Sequence, residues 1–480
     1  MLSFKNTTLF SEISIYFKEN DSSEAVFTLL RFLRSFNLPL DVLNLRDKPN
    51  AQFSRAQTLM LLILSSFFSV KNVAGYAGSY LNKLLKGHKD LFYRFLSDGS
   101  IEWRKVLYCF NRQLLHKITA RSDSQHSNDP ICLIIDDTDF PKTGRKSEML
   151  GYIYSHVKKS HILGYKGLFL LRSDGKTQTV LDYSVHGEIG KNKEKPYGMK
   201  PSERKKQFHK EREEQESAVR ERVSEYDESK ISTSIRMVKR AVKYKIKYDY
   251  LLADSWFACT EIIRYIKTRA MECHYLGMIK MGNTKYEYKG KLMTSKEIIQ
   301  TLSLQRGRKW SQKMGLYHVE CQVKLGGMDV KLFFYRRSKR SKWVAMITTN
   351  RSLCYLQALK IYSMRWSIEV FFKESKGLLG LGKYQTRNFA SLIAEICITA
   401  LQFNILSTAK RFTDYQTLGG LFRDVSSDTA KLSVTDRIWK TVTKILRKIA
   451  DIYLIDIKAI IDKLIDAGIY LGPVSQIIKT

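Results

Sequence analysis

ICLIIDDTDFPKTG, residues 131–144, is the stretch on which the fold turns. Ile131 to Ile135 is an unbroken aliphatic run, short for a helix and apolar at every position, as expected of a strand covered on both faces in the middle of a sheet. The run gives way to Asp136, Asp137 and Asp139, so three carboxylates are expected where a central strand ends. Strand-end carboxylates suit a hard cation, while Asp and Pro are also good turn formers, and both readings stand. Asp136 and Asp137 are neighbours that point to opposite faces, so only one can enter a given site.

Working outward, YKGLFLLRS (165–173) and TQTVLDYSVH (177–186), separated by a DGK turn, complete three antiparallel strands. From Gly187 to about Lys230 the chain is highly charged and reads as an exposed excursion, part helix and part mobile, whose lysines either meet phosphate or are simply solvated. Helical periodicity resumes at Ile231 to Val242. KYDYLLADSWF (247–257) is then a second buried strand, ending in Asp254, which could equally cap the helix expected up to Thr268. HYLGMIKM (274–281) is a further strand. Several short β-like runs fill 282–342, with Arg306, Arg308 and Lys309 beside Trp310 and a second basic cluster beside Trp343. Cations next to a flat ring can hold a phosphate and stack a displaced base, or the tryptophans are ordinary sheet residues.

WVAMITTN (343–350) closes this β-rich region and leads to YSMRWSIEVFFKESK, residues 362–376. It reads as the end of a helix that begins near Leu356 and stops at Gly377. Tyr362, Arg365, Glu369 and Lys376 fall within an arc of about 60°, along about 21 Å of one helical face. That footprint matches a nucleic-acid backbone better than a small metabolite, although a solvated Arg/Glu/Lys face has the same pattern. GLLGLGKYQTRNFA (377–390) adds Lys383 and Arg387 but contains no GxxxxGK[ST] phosphate cradle. A long apolar helix, Leu392 to Ser407, follows.

The chain has 480 residues, with 81 Lys and Arg against 47 Asp and Glu, a net charge of +34. An excess of this size is usually retained where a polyanion neutralises it, with nucleic acid the first candidate and an anionic membrane the second. Basic residues spread along the whole length suit a long duplex better than one polybasic anchor. Seven cysteines without a CxxC pair argue against a disulfide framework and a zinc site, and place the chain in a reducing cytosol. The longest apolar run, Leu59 to Val70, contains three serines and is too short to span a bilayer.

Tyr362, two residues, Arg365, three residues, Glu369, six residues, Lys376 resembles the Tyr/Arg/Glu/Lys signature of the insertion-sequence-four group of bacterial DDE transposases. DDT after the first strand and LADSW after the fourth extend the resemblance, which covers roughly residues 130–410. The order of elements is that of an α/β, ribonuclease H-like core. The resemblance implies Asp137, Asp254 and Glu369 as catalytic, metal-binding acids, Asp137 being chosen because it directly precedes Thr138, and Asp136 then being structural. It implies two Mg²⁺ ions, replaceable by Mn²⁺, and DNA contacts by Tyr362, Arg365 and Lys376, to which Lys373, Lys383, Arg387 and Trp310 are added. Expected partners are double-stranded DNA, as terminal inverted repeats and target, and a second protomer on DNA, with no membrane and no nucleotide cofactor. The expected location is bacterial cytoplasm, at the nucleoid. A nuclease on the same core that cuts without joining, and a non-catalytic DNA-binding descendant, are the alternatives. The expected divisions are a helical N-terminal domain at 1–125, read either as DNA-reading around FSVKNVAGYAGSYLNKLLKG or as a mere support, core parts at 126–280 and 343–410, a β-rich insertion at 281–342 and a helical region at 411–480 that either packs on the core or pairs two protomers.

Overall fold

The structure is a computed structural model that describes Leu33, residues 36–427 and Thr429, apart from 71, 80, 85–86, 122–128, 270–272, 305–308 and 313–314. Residues 1–32 of the expected N-terminal domain, Arg306 and Arg308, and most of the expected C-terminal helical region lie outside the described residues. Helices α1 (Arg55–Ser65), α2 (Lys89–Leu96) and α3 (Trp103–Arg121) come first. Strands β1 (Cys132–Pro141), β2 (Gly151–Ser155), β3 (Ser160–Ser173) and β4 (Gln178–His186) follow, then α4 (Ser217–Tyr226), α5 (Lys230–Lys243), β5 (Tyr250–Ala253), α6 (Thr260–Arg269) and β6 (His274–Ile279). The middle region holds β7 (Lys285–Tyr288), β8 (Lys291–Thr294), α7 (Ser295–Leu304), β9 (Lys309–Ser311), β10 (Leu316–Leu325) and β11 (Met328–Arg336). Strand β12 (Val344–Thr348) and helices α8 (Tyr355–Ser363), α9 (Trp366–Glu374) and α10 (Phe389–Arg411) complete the mixed α/β fold.

The described strands form one sheet in the order β2-β3-β1-β5-β6-β12-β11-β10-β7-β8, with β4 beside β3 and β9 beside β10. β1 is antiparallel to β3 and parallel to β5, and β5 is parallel to β6. The β-rich region therefore extends the central sheet through β12. Because β1 is apolar on both faces, two apolar clusters form, one on each side of it. Cys132, Ile134 and Phe140 face a cluster containing α9, α10 and the N-terminal helices, whereas Leu133 and Ile135 face one containing α5 and α6.

β1 is longer than the aliphatic run suggested. Its partner β3 has 14 residues and continues the ladder to Pro141↔Gly164, so Asp136, Asp137 and Asp139 lie within the strand and not beyond it. On its other edge the parallel pairing with β5 ends at Ile135↔Ala253. The acids thus sit where one edge of β1 loses its neighbour.

Helix α10 is long and apolar enough to cross a membrane, but almost all of it is buried inside the protein. Its few polar groups are spent on neighbours: Asn404 accepts from the Val180 amide at 2.7 Å and donates to Asn111 at 2.8 Å, and Gln402 donates to the Ile63 carbonyl at 3.0 Å. The N-terminal helices are thereby fixed to the same helix that closes the core.

The charged excursion after Gly187 is not merely a solvated segment. Its helix α4 returns to the sheet and carries Glu225 and Arg222 into the interior. Arg104 of α3 bonds Asp182 of β4 at 3.2 Å and Glu225 at 2.7 Å, and Arg240 of α5 bonds Asp182 at 2.7 Å. Burial alone would raise the Asp182 carboxyl, but Arg104, Arg240 and Arg222 together hold it below its ordinary value. Removing one member leaves buried charges uncompensated, at a cost of about 3–5 kcal/mol. Arg104→Ala is therefore expected to lower the unfolding free energy by about that amount, measured by urea denaturation, and an unchanged midpoint would contradict the network's role.

Candidate active site

Which acid of β1 can meet the glutamate helix is decided by the pleat. Asp136 lies across from Phe169, whose ring centroid is 5.1 Å from that of Phe371 and 5.6 Å from that of Phe372 on α9. Asp137 lies across from Leu168, which belongs to the cluster on the opposite face. The side-chain contacts agree. Arg365 Nη1 donates to Asp136 Oδ2 at 3.2 Å, and its Nη2 donates to Glu369 Oε1. Asp137 Oδ2 instead receives Lys230 Nζ, which also stands 4.1 Å from the centroid of the Trp256 ring. Of the two neighbouring acids it is Asp136, not the expected Asp137, that Arg365 links to Glu369.

Asp254 follows Ala253 directly, at the end of the strand paired with Ile135. One carboxylate oxygen accepts the amides of Trp256 at 2.8 Å and Phe257 at 3.3 Å, closing a turn. Helix α6 begins only at Thr260, so Asp254 is not its cap. The proximity of the two strand acids is felt electrostatically. Burial, the charge of Asp254 and that of Asp137 push the Asp136 carboxyl up to about 7, against the lowering pull of its bond to the Asp137 amide and of Arg365.

The signature-spaced residues reach this side of β1 from two helices and the turn after them, because the helix expected to run on from near Leu356 breaks between Ser363 and Trp366. Tyr362 is partly buried, its hydroxyl held above the ordinary range by burial, with Arg365 lowering and Asp254 raising it further, and the Arg365 guanidinium lies 5.9 Å from its ring. Lys376 Nζ donates to Thr138 Oγ1 at 2.6 Å, two residues beyond Asp136 on the same face of β1. The helix does not stop at Gly377. After Glu374 it widens into a π turn, Ser375–Leu379, and ends at Gly380, which takes the left-handed conformation at φ 77°. Widened turns of this kind occur frequently at functional sites.

The other expected contacts are not gathered here. Lys373, Lys383 and Arg387 are exposed, on α9 and on the loop before α10. Trp310 is exposed on β9 and packs against Tyr317 at 4.7 Å. Its partner strand β10 is five places from β1, about 24 Å away at the usual strand spacing. Sequence reasoning missed Lys230 as the partner of Asp137 and Lys166, which bonds Asp139 at 2.5 Å. It also missed Arg365 as the link between Asp136 and Glu369. Two mutually repelling acids in a partly buried pocket are the donor chemistry that a hard divalent cation relieves. Among the described residues no three such side chains stand close enough together to hold an ion, and between Asp136 and Glu369 the positive charge is that of Arg365.

Residues 69–286 match a model described as DDE superfamily endonuclease, and residues 222–405 match one described as Transposase DDE domain. DDE-superfamily transposase domains are thus present in the chain. Among curated proteins no sequence matches. One similar solved structure is a piggyBac transposase synaptic complex with hairpin DNA, 11% identical, with a TM-score of 0.45 over 86% of this chain and 81% of that one. Another is the NurA nuclease from Sulfolobus solfataricus, 10% identical, with a TM-score of 0.23 over 58% of this chain and 86% of that one.

The raised Asp136 value has a definite sign. With its folded value near 7 and an ordinary value near 3.8, the folded state holds a proton that the unfolded state has released, so this carboxyl costs stability as pH rises through that window. Asp136→Asn removes the cost. In EDTA the variant is expected to gain several degrees in melting temperature at pH 8 and little at pH 4, and equal gains at both would contradict the crowding of Asp136.

Proposed function

We propose that this chain is a DNA transposase of the insertion-sequence-four group, built on a ribonuclease H-like core, that binds the inverted repeats of its own element, cuts there and joins the freed ends to target DNA. The observation that carries this reading is that Arg365 bonds both Asp136 and Glu369, with the charge of Asp254 felt at Asp136, in a chain of net charge +34. Asp136 takes the place that the sequence pattern suggested for Asp137.

Cleaving a phosphodiester develops negative charge on the attacking, equatorial and leaving oxygens. Asp136, Asp254 and Glu369 would hold divalent metal, read as two Mg²⁺ ions replaceable by Mn²⁺, which when bound supplies a deprotonated nucleophile and neutralises that charge. Arg365 exchanges its carboxylate partners for a DNA phosphate, which frees Glu369 as a ligand. Lys376, bonded to Thr138 two residues farther along β1, fixes a neighbouring phosphate, and the Tyr362 ring lies against the Arg365 guanidinium. In the first step water attacks the phosphorus and the 3′-oxygen leaves. In the second that 3′-hydroxyl attacks a phosphorus of target DNA and the target's own 3′-oxygen leaves, so one phosphodiester bond replaces another without a covalent protein intermediate. Two protomers would bridge the paired ends, in the bacterial cytoplasm at the nucleoid.

Glu369→Gln and Asp136→Asn are each expected to reduce Mg²⁺-dependent cleavage of the element's ends by at least about a hundredfold, or roughly 2.7 kcal/mol of barrier, while end binding in EDTA stays nearly intact. Asp137→Asn is expected to leave most of the cleavage in place. Undiminished cutting by Glu369→Gln would refute the reading, and selective loss in Asp137→Asn would return the role to the other face of β1.

A further inference from the structure

Beyond Pro141, β1 runs into the loop 142–149, and two distant segments dock on it. The Glu148 amide donates to the Arg387 carbonyl at 2.8 Å, and Ser147 Oγ donates to the Thr386 carbonyl at 3.2 Å. On the other side the Phe208 amide donates to the Lys146 carbonyl at 2.8 Å, and Arg145 bonds Glu203 at 2.8 Å. Three stretches far apart in the chain, KTGRKS, KYQTR and RKKQFH, are thus held together by main-chain bonds.

Lys146, Lys205, Lys206, Lys383 and Arg387 are exposed across this junction. The nearby acids are already paired, Glu203 with Arg145 and the buried Glu148 with Arg212 at 2.6 Å. The surface therefore carries a net excess of free cations, held in place by backbone geometry and not by counter-charges. It begins where β1 ends, five residues past Asp136, about 17 Å at the usual rise per residue. In a duplex that distance is about five base pairs.

We propose that this three-segment junction is a docking surface for the phosphate backbone of duplex DNA, engaging it about five base pairs or more from the acidic site. It rests on the reading of the chain as a DNA-processing enzyme and assigns to the loop 142–149 and the excursion a place in the DNA path. Several exposed cations on a fixed backbone suit a polyanion, and each phosphate contact releases counterions on binding.

The test uses the full chain in EDTA with a generic 30-base-pair duplex, measuring affinity by fluorescence anisotropy across a range of NaCl concentrations. Lys146→Ala/Lys205→Ala/Lys206→Ala is compared with a charge-matched control, Lys239→Ala/Lys243→Ala/Lys247→Ala, whose exposed lysines lie on α5 and ahead of β5, away from the acid-bearing end of that strand. Each phosphate contact contributes about 0.9 to the slope of log affinity against log salt. The junction variant is expected to lose about two to three slope units and at least about tenfold in affinity, the control less than one unit. Equal losses in both variants, or none in the first, would overturn the surface while leaving the functional reading intact. A wild-type protein that fails to bind the duplex would overturn both. Loss of binding to phosphatidylserine vesicles in the junction variant, with DNA binding unchanged, would overturn the DNA assignment in favour of a membrane partner.

Discussion

Strand β1 is apolar and covered on both faces, and the alternation of its side chains assigns every polar group that follows to one side of the protein or the other. Even-numbered residues face α9 and α10, and odd-numbered ones face α5 and α6. Asp136 and Thr138 therefore meet Arg365 and Lys376, while Asp137 meets Lys230 and Asp139 meets Lys166. A slip of one residue in the ladder with β3 would exchange these partners and break both sets of contacts. The register is held by the apolar residues on either face, so the chemistry of the acids depends on the packing of the aliphatic run before them.

Arg365 is the second element of this arrangement. It bonds one acid from the sheet and one from the helix, and so joins two parts of the chain that are more than two hundred residues apart. Asp136 nonetheless stays partly protonated near neutral pH, because burial and the charges of Asp254 and Asp137 outweigh the guanidinium. The pocket is short of positive charge in the absence of a ligand. Such a shortage costs stability and is the condition under which a cation or a cation-bearing substrate binds well.

Much of this was legible in the residues. The apolar runs at 131–135, 165–173 and 250–253 identified strands, and the run from Leu392 to Ser407 identified a long apolar helix. The choice between Asp136 and Asp137 was not legible, because a strand buried on both faces has no polar alternation to show which side meets the helix. Gly377 misled because glycine can sit inside a helix when the turn widens, and the left-handed stop falls three residues later, at Gly380. The excursion misled because its composition is that of a solvated segment. Its buried Glu225 is paired not only with Arg222 of the same helix but with Arg104, Arg236 and Arg240, which come from other elements and could not be anticipated locally.

Helix α10 also sets the order in which the chain can mature. The Asn111 side chain finds its Asn404 partner only after 293 further residues have been made, which at usual rates of translation takes about 15 to 60 seconds. Until then the N-terminal helices have no central helix to cover them, and the nascent chain keeps a large greasy surface open to chaperones or to aggregation. Glu369 and Arg365 emerge in the same late stretch. A ribosome-bound chain therefore carries the strand acids without the helix that bears Glu369, and the pocket they share with Arg365 can form only after that stretch has been made.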